Sequence, residues 1–189
     1  DSIASAQFPP QTTSSGTVNY LVDTRDLTGY AQVIAEYDAG TAAPLRVYAY
    51  GLDLISQRDP QTGIHFYGYD GHGSVRLLIK EDGSEETHYD YDAFGVLISQ
   101  GSSTVENNYL YAGEQWDPDL GMYYLRARYL DAGTGRFWTM DDFEGSQEQP
   151  SFLHKYLYAH ADPVNNTDPS GHFSVSESLS VQGTMGIIE

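Results

Sequence analysis

Aromatic and aliphatic residues alternate with polar ones along most of the chain, a period of two that predicts β-hairpins rather than helices. The run YLVDTRDLTGYAQVIAEYDAG reads as a strand from Tyr20 to Asp23, a turn around Asp26 to Gly29 and a second strand from Tyr30 to Tyr37. After the looser connection AGTAAP, four stretches repeat one theme: RVYAYGLDLISQRD, GIHFYGYDGHGSVRLLIKEDG, SEETHYDYDAFGVLISQG and NNYLYAGEQWD. Each has alternating aromatics, then a turn containing Gly or Asp. An alternating aliphatic run follows, such as Leu52 and Leu54, Val75, Leu77 and Ile79, or Val96 and Ile98. The pair Asp82-Gly83, between Lys80 and Ser84, is a two-residue hairpin signal.

The theme is periodic. The last Tyr before each turn falls at Tyr50, Tyr69, Tyr91, Tyr111 and Tyr129, so successive gaps are 19, 22, 20 and 18 residues. A period near that length marks stacked supersecondary units. One hairpin cannot bury its own apolar face, whereas stacked hairpins can. The expected fold is therefore all-β, with stacked antiparallel hairpins forming one wide, curling sheet. Residues 1–19 are small and polar, include prolines and lack a hydrophobic period, so they read as a lead-in or strap. Residues 20–172 read as the core. Residues 173–189 read as the start of a further segment in which Phe173, Val175, Leu179 and Val181 hint at a strand.

Composition sharpens this picture. The 189 residues include 16 Tyr, 19 Gly and no Cys. Tyrosine at that density suits strands, because its ring covers a pleated surface while its hydroxyl tolerates a wet edge. The glycines supply turns and bulges. Without cysteine there is neither a disulfide framework nor thiol chemistry. A formal charge of −18 repels nucleic acid and anionic membrane surfaces, and it favours a solvated exterior or a basic partner. No apolar run reaches the roughly 20 residues that cross a bilayer as a helix.

The motifs Tyr37-Asp38, Tyr69-Asp70-Gly71 and Tyr89-Asp90-Tyr91-Asp92 are followed in order by GRFWTMDDFEG and HKYLYAHADPVNNTDPSGH. Over roughly residues 26–172 this series resembles the tyrosine-aspartate (YD) repeats and RHS repeat-associated core domain of polymorphic toxins and insecticidal toxin complexes. The resemblance implies a partial β-shell, or cocoon, whose aromatics face inward and which holds a C-terminal segment. It implies a secreted or cell-surface, bacterial-type protein. The partners would be upstream YD repeats, or copies of itself joined through sheet edges, since an open sheet exposes strands that invite pairing. The rival reading is a structural or adhesive extracellular module that builds fibres or surface contacts without catalysis.

In RHS cores that cleave themselves, two aspartates act as an aspartic-protease-like pair. The resemblance places them at Asp141, with Asp142 as the alternative, and at Asp168, with the cut near His172. Such chemistry needs two carboxyls that share a proton, so that one serves as acid while the other serves as base. This chain departs from the pattern in reading Asp142 where cleaving members carry Pro, and His172 where they carry Leu or Trp. The alternative is purely structural: Asp141 and Asp142 in an exposed acidic turn, and Asp168-Pro169-Ser170-Gly171 as a β-turn. No cofactor is expected. No metal is expected either, because His65, His72, His88, His154, His160 and His172 never fall at HxH or HxxxH spacing, and an acidic turn is the simpler reading of Asp141, Asp142 and Glu144. Of Arg126, Arg128 and Arg136, at least one is expected to pair with a buried carboxylate. Trp116 and Trp138 are expected in the core or a cavity wall.

Overall fold

The computed structural model describes residues 11–13, 16–24, 30–142, 154–172 and 175–176. Among them there is no α-helix. A nine-stranded antiparallel sheet contains β1 (Gln11–Thr13), β2 (Gly16–Asp23), β3 (Gln32–Asp38), β4 (Pro44–Tyr50), β5 (Leu54–Asp59), β6 (Gly63–Tyr69), β7 (Val75–Lys80), β8 (Glu85–Tyr91) and β9 (Leu97–Gln100). Every strand lies beside its neighbour in sequence, so the sheet is a simple meander of hairpins. A second sheet holds β10 (Gln115–Asp117), β11 (Met122–Leu125), β12 (Arg128–Asp131) and β13 (Arg136–Phe137), and β14 (Asn166–Thr167) pairs with β15 (Val175–Ser176). The all-β class of antiparallel hairpins is thus observed, and neither larger sheet closes on itself. Pairing begins earlier than Tyr20: Thr12 of β1 sits opposite Thr17 of β2, within the stretch read as a lead-in. The turn expected at Asp26 to Gly29, and Glu144, lie outside the described residues.

The chain packs as two compact units. The first takes residues up to Gly68 together with Leu77–His88 and Gly101–Glu106. Its buried face is partly polar. In β4, β6 and β8 the third and fifth residues are buried, giving Arg46 and Tyr48, His65 and Tyr67, Thr87 and Tyr89, of which Tyr89 alone belongs to the second unit. These tyrosines stand two residues before Tyr50, Tyr69 and Tyr91, on the same side of their strands. A buried hydroxyl needs a partner. Tyr48 donates to Glu36 Oε1 (2.7 Å) and Tyr67 donates to Gln57 Oε1 (2.7 Å). Arg46 spans Glu36 Oε2 (3.2 Å) and Glu106 Oε2 (2.6 Å), neutralising a carboxylate that burial would otherwise leave alone. Burial pushes the Glu36 carboxyl above its ordinary range, although Arg46 and the Tyr48 hydroxyl oppose the shift.

The second unit takes Tyr69–Arg76, Tyr89–Gln100 and the chain from Asn107 onward. It explains the Tyr-Asp signature. After Tyr69, Asp70 Oδ1 accepts from the backbone N–H groups of His72 and Ser74, both at 3.0 Å. After Tyr91, Asp92 Oδ1 accepts from those of Phe94 and Val96, both at 2.9 Å. The Tyr ends a strand, and the Asp satisfies the loop amides that no strand pairs. Each loop closes on a glycine with positive φ, Gly73 (+79°) or Gly95 (+94°). The turn after β7 has the same form, with Gly83 N–H donating to Lys80 O (3.0 Å) and Lys80 N–H to Ser84 O (2.9 Å). It is thus a three-residue loop, Glu81-Asp82-Gly83, rather than a two-residue one, because Asp82 Oδ1 captures Ser84 N–H (2.9 Å) and Gly83 takes the left-handed position.

Tyr111, Tyr123, Leu125, Leu130, Phe137 and Tyr158 form the centre of this unit. Tyr111 and Tyr123 donate to the carbonyls of Ala93 (2.8 Å) and Gly95 (2.9 Å), and the Tyr158 ring meets Phe137 edge-on at 5.8 Å. Trp116 stacks edge-on against Tyr123 at 4.8 Å, but Trp138 is 67% exposed. Alternation decides this: Phe137 faces inward, so its neighbour points out. The segment KYLYA, residues 155–159, forms no continuous strand. Only Leu157 bridges to Arg136, and Ala159–Ala161 form a single 3-10 turn with positive φ at all three residues.

Candidate functional site

The site grows from the hairpin of β11 and β12. Its two-residue turn places Arg126 at φ +58°, and Ala127 N–H donates to Leu125 O at 2.6 Å. That turn carries arginines at alternate positions, RAR, so both lie beside the same stretch of chain. Arg126 Nη1 donates to both oxygens of buried Glu114 (2.8 and 2.9 Å) and to the carbonyl of Pro169. Arg128, the first residue of β12, is buried with its guanidinium 3.7 Å from the centre of the Phe137 ring. The sequence expectation for the arginines therefore holds twice.

Arg128 gathers the chain around it. Nε donates to the carbonyl of Gly171, and Nη1 donates to Lys155 O at 3.2 Å. Nη2 lies 2.7 Å from Asp141 Oδ2 and 3.5 Å from Asp168 Oδ2. Asp141 is set in place by its own N–H, which donates to Lys155 O at 2.9 Å. Thus the two carboxyls named from sequence, 27 positions apart, reach one nitrogen atom.

Their surroundings differ. Asp168 is 2% exposed, and burial raises its carboxyl above the ordinary range. The Arg128 charge and hydrogen bonds from Ser170, Gly171 and His172 pull the other way without cancelling the burial. The turn Asp168-Pro169-Ser170-Gly171 exists, with Gly171 N–H donating to Asp168 O (3.3 Å) and Ser170 Oγ to Asp168 Oδ1 (3.2 Å). It is a turn and part of the carboxyl cluster at once. Asp141 makes the short contact to Arg128, 2.7 Å against 3.5 Å for Asp168.

His172 completes the group. Its Nδ1 is 3.1 Å from Asp142 Oδ1 and 3.6 Å from Asp141 Oδ1. The two residues that depart from the self-cleaving pattern, Asp142 and His172, therefore lie against each other. Ligand atoms of Asp141, Asp142 and His172 fall within 4.8 Å of one another, so these three could hold a divalent ion, one donor short of a closed zinc site. The remaining histidines serve elsewhere: His65 is buried in the first unit, His72 packs on Tyr111 at 5.5 Å and His88 meets Glu85 at 2.9 Å. Asp70 is engaged by its own loop amides. Sequence reasoning missed Glu114 and the carbonyl of Lys155. Neither carries a local signal, because each is defined only by a guanidinium that folding delivers.

No family model matches the chain. It is 32% identical over 167 residues to the tRNA3(Ser)-specific nuclease WapA of Bacillus spizizenii, a match covering 86% of this chain and 7% of that protein. It is 35% identical over 111 residues to the tRNA nuclease WapA of Bacillus subtilis, covering 58% of this chain and 5% of the relative. The chain thus spans under a tenth of the length of these relatives. Among solved structures, the crystal structure of TcdB2-TccC3 superposes with a TM-score of 0.61 at 18% identity, covering 86% of this chain and 8% of the other. That likeness shows a shared fold. The sequence matches relate 86% of this chain to a stretch of the WapA proteins.

Proposed function

We propose that this chain is the end portion of a secreted RHS/YD-repeat shell, with residues 20–172 as its core, which encloses a C-terminal segment and cuts the peptide bond after His172. The observation that carries the reading is the convergence of Asp141, Asp168 and the Gly171–His172 peptide on Arg128. The relatives add support, since WapA is a tRNA-specific nuclease much longer than this chain.

In the cut, Asp141, positioned by Arg128, takes a proton from a water molecule. The water oxygen bonds to the carbonyl carbon of His172. Asp168, whose burial favours the protonated form, delivers its proton to the nitrogen of Phe173 as the C–N bond breaks. The products are a carboxyl at His172 and an amine at Phe173. The proton on Asp141 leaves through solvent, and Asp168 is reprotonated from it. Mass measurement of the purified chain and of Asp168→Asn tests this: two fragments for the first and one intact mass for the second are expected. A single intact mass for both removes self-cleavage.

A second reading, an adhesive or fibre-forming module, is favoured by one observation. β9 is the last strand of its sheet, its four residues are exposed, and Ile98 is 67% exposed. Light scattering decides it, with polymers expected from open edges and a monomer excluding it.

A further inference from the structure

We infer that Asp142 is a specificity-determining residue for this cut, reading a cationic side chain at position 172; the inference rests on the self-cleavage reading above. Three anchors converge on the residue whose carbonyl would react. Its side chain is met by Asp142 Oδ1, 3.1 Å from Nδ1. Its N–H donates to Ser170 Oγ at 3.1 Å. The carbonyl just before it is taken by Arg128 Nε. With side chain, amide and preceding carbonyl all held, the principal backbone freedom left at position 172 is the rotation that aims its own carbonyl. An attacking water and a carboxyl base need that rotation limited, because catalysis depends on a near-attack geometry.

Two carboxyls stand beside the imidazole. Asp141 and Asp142 face it from the segment after β13, and Arg128 of β12 faces the carboxylates rather than the ring nitrogen. Asp142 is 83% exposed on its side chain, and its direct ion-pair contact is with residue 172, while the Arg128 charge acts on it from further off. A leucine at 172 would leave Asp142 without this contact, whereas lysine or protonated histidine would keep it. The hook acts by position: Asp142 touches no reacting atom.

Cleavage of the full chain, followed by mass spectrometry, tests the inference. Asp142→Lys and His172→Glu are each expected to slow the cut about two- to fivefold, the range that an exposed ion pair sustains. The double swap Asp142→Lys/His172→Glu restores it, and His172→Lys preserves it. Rescue by the double swap is a result that a merely structural role would not produce. Equal rates in all these variants overturn the inference while leaving self-cleavage intact. A wild-type chain that stays whole overturns both.

Discussion

The backbone of Gly171 lies against the carbonyl of Leu125. A Cβ built on Gly171 would collide with that oxygen and come within 3.1 Å of Arg128 N and 3.3 Å of Ala127 N. Its φ of +71° also falls in the left-handed region. The glycine lets one turn, Asp168 to Gly171, seat on another, Leu125 to Arg128, and this contact brings Asp168 to the arginine.

Gly171→Ala therefore carries both a steric and a conformational cost. We expect it to destabilise the second unit by at least about 1–3 kcal/mol. The measurement is a thermal melt, supported by faster amide exchange across residues 166–172. Unchanged exchange there would show that the turn tolerates a side chain.

Arg128→Met strands the buried carboxyl of Asp168 and the carbonyl of Gly171. Removing one partner of a buried ion pair costs about 3–5 kcal/mol. Arg128→Lys restores the charge but lacks the fork that meets Gly171, Lys155 and both aspartates, so it should recover only part of the loss. Adding Asp168→Asn to Arg128→Met should give some stability back, since the buried carboxyl left without its arginine is gone. Denaturant titration of the four proteins checks all three expectations.

Burial raises the carboxyls of Glu36, Glu114 and Asp168 above their ordinary values. The folded chain then binds protons more tightly than the unfolded chain at these sites. Their contribution to stability is fully present below the unfolded value of about 4, and is lost as pH rises through the folded value. Glu36→Gln, which keeps an oxygen to accept from Tyr48, should therefore lose less stability than the parent between about pH 4 and pH 7. Melting temperatures of both proteins across that window provide the test, and parallel curves would contradict the shift at Glu36.

The Tyr-Asp signature makes its own prediction. Asp92→Ala removes the acceptor of two loop amides, and Gly95→Ala puts a Cβ 2.6 Å from the Tyr111 ring at a φ of +94°. Each lost hydrogen bond is worth about 0.5–1.5 kcal/mol. We expect Gly95→Ala to be the more damaging, because the Tyr111 ring is buried and cannot retreat, and differential scanning calorimetry should rank the two variants in that order.

The hairpins and their period near 20 residues were legible in the sequence, because alternation and turn residues are local, whereas the two distant aspartates were named there only through the family resemblance. Alternation also exposes Trp138, whose neighbour Phe137 takes the inward place, although a residue-type argument had put the Trp in the core. The penultimate tyrosines, Tyr48, Tyr67 and Tyr89, proved to be the buried ones, which the strand pattern permits but cannot choose. Only the tertiary structure decided that Asp141 and Asp168 meet through Arg128, that Glu114 holds Arg126, and that His172 falls on Asp142. These contacts join residues separated by 12 to 40 positions, across turns whose direction depends on glycines such as Gly171. A linear pattern records which face a side chain takes, whereas the partner it finds there depends on how separate hairpins fold onto one another.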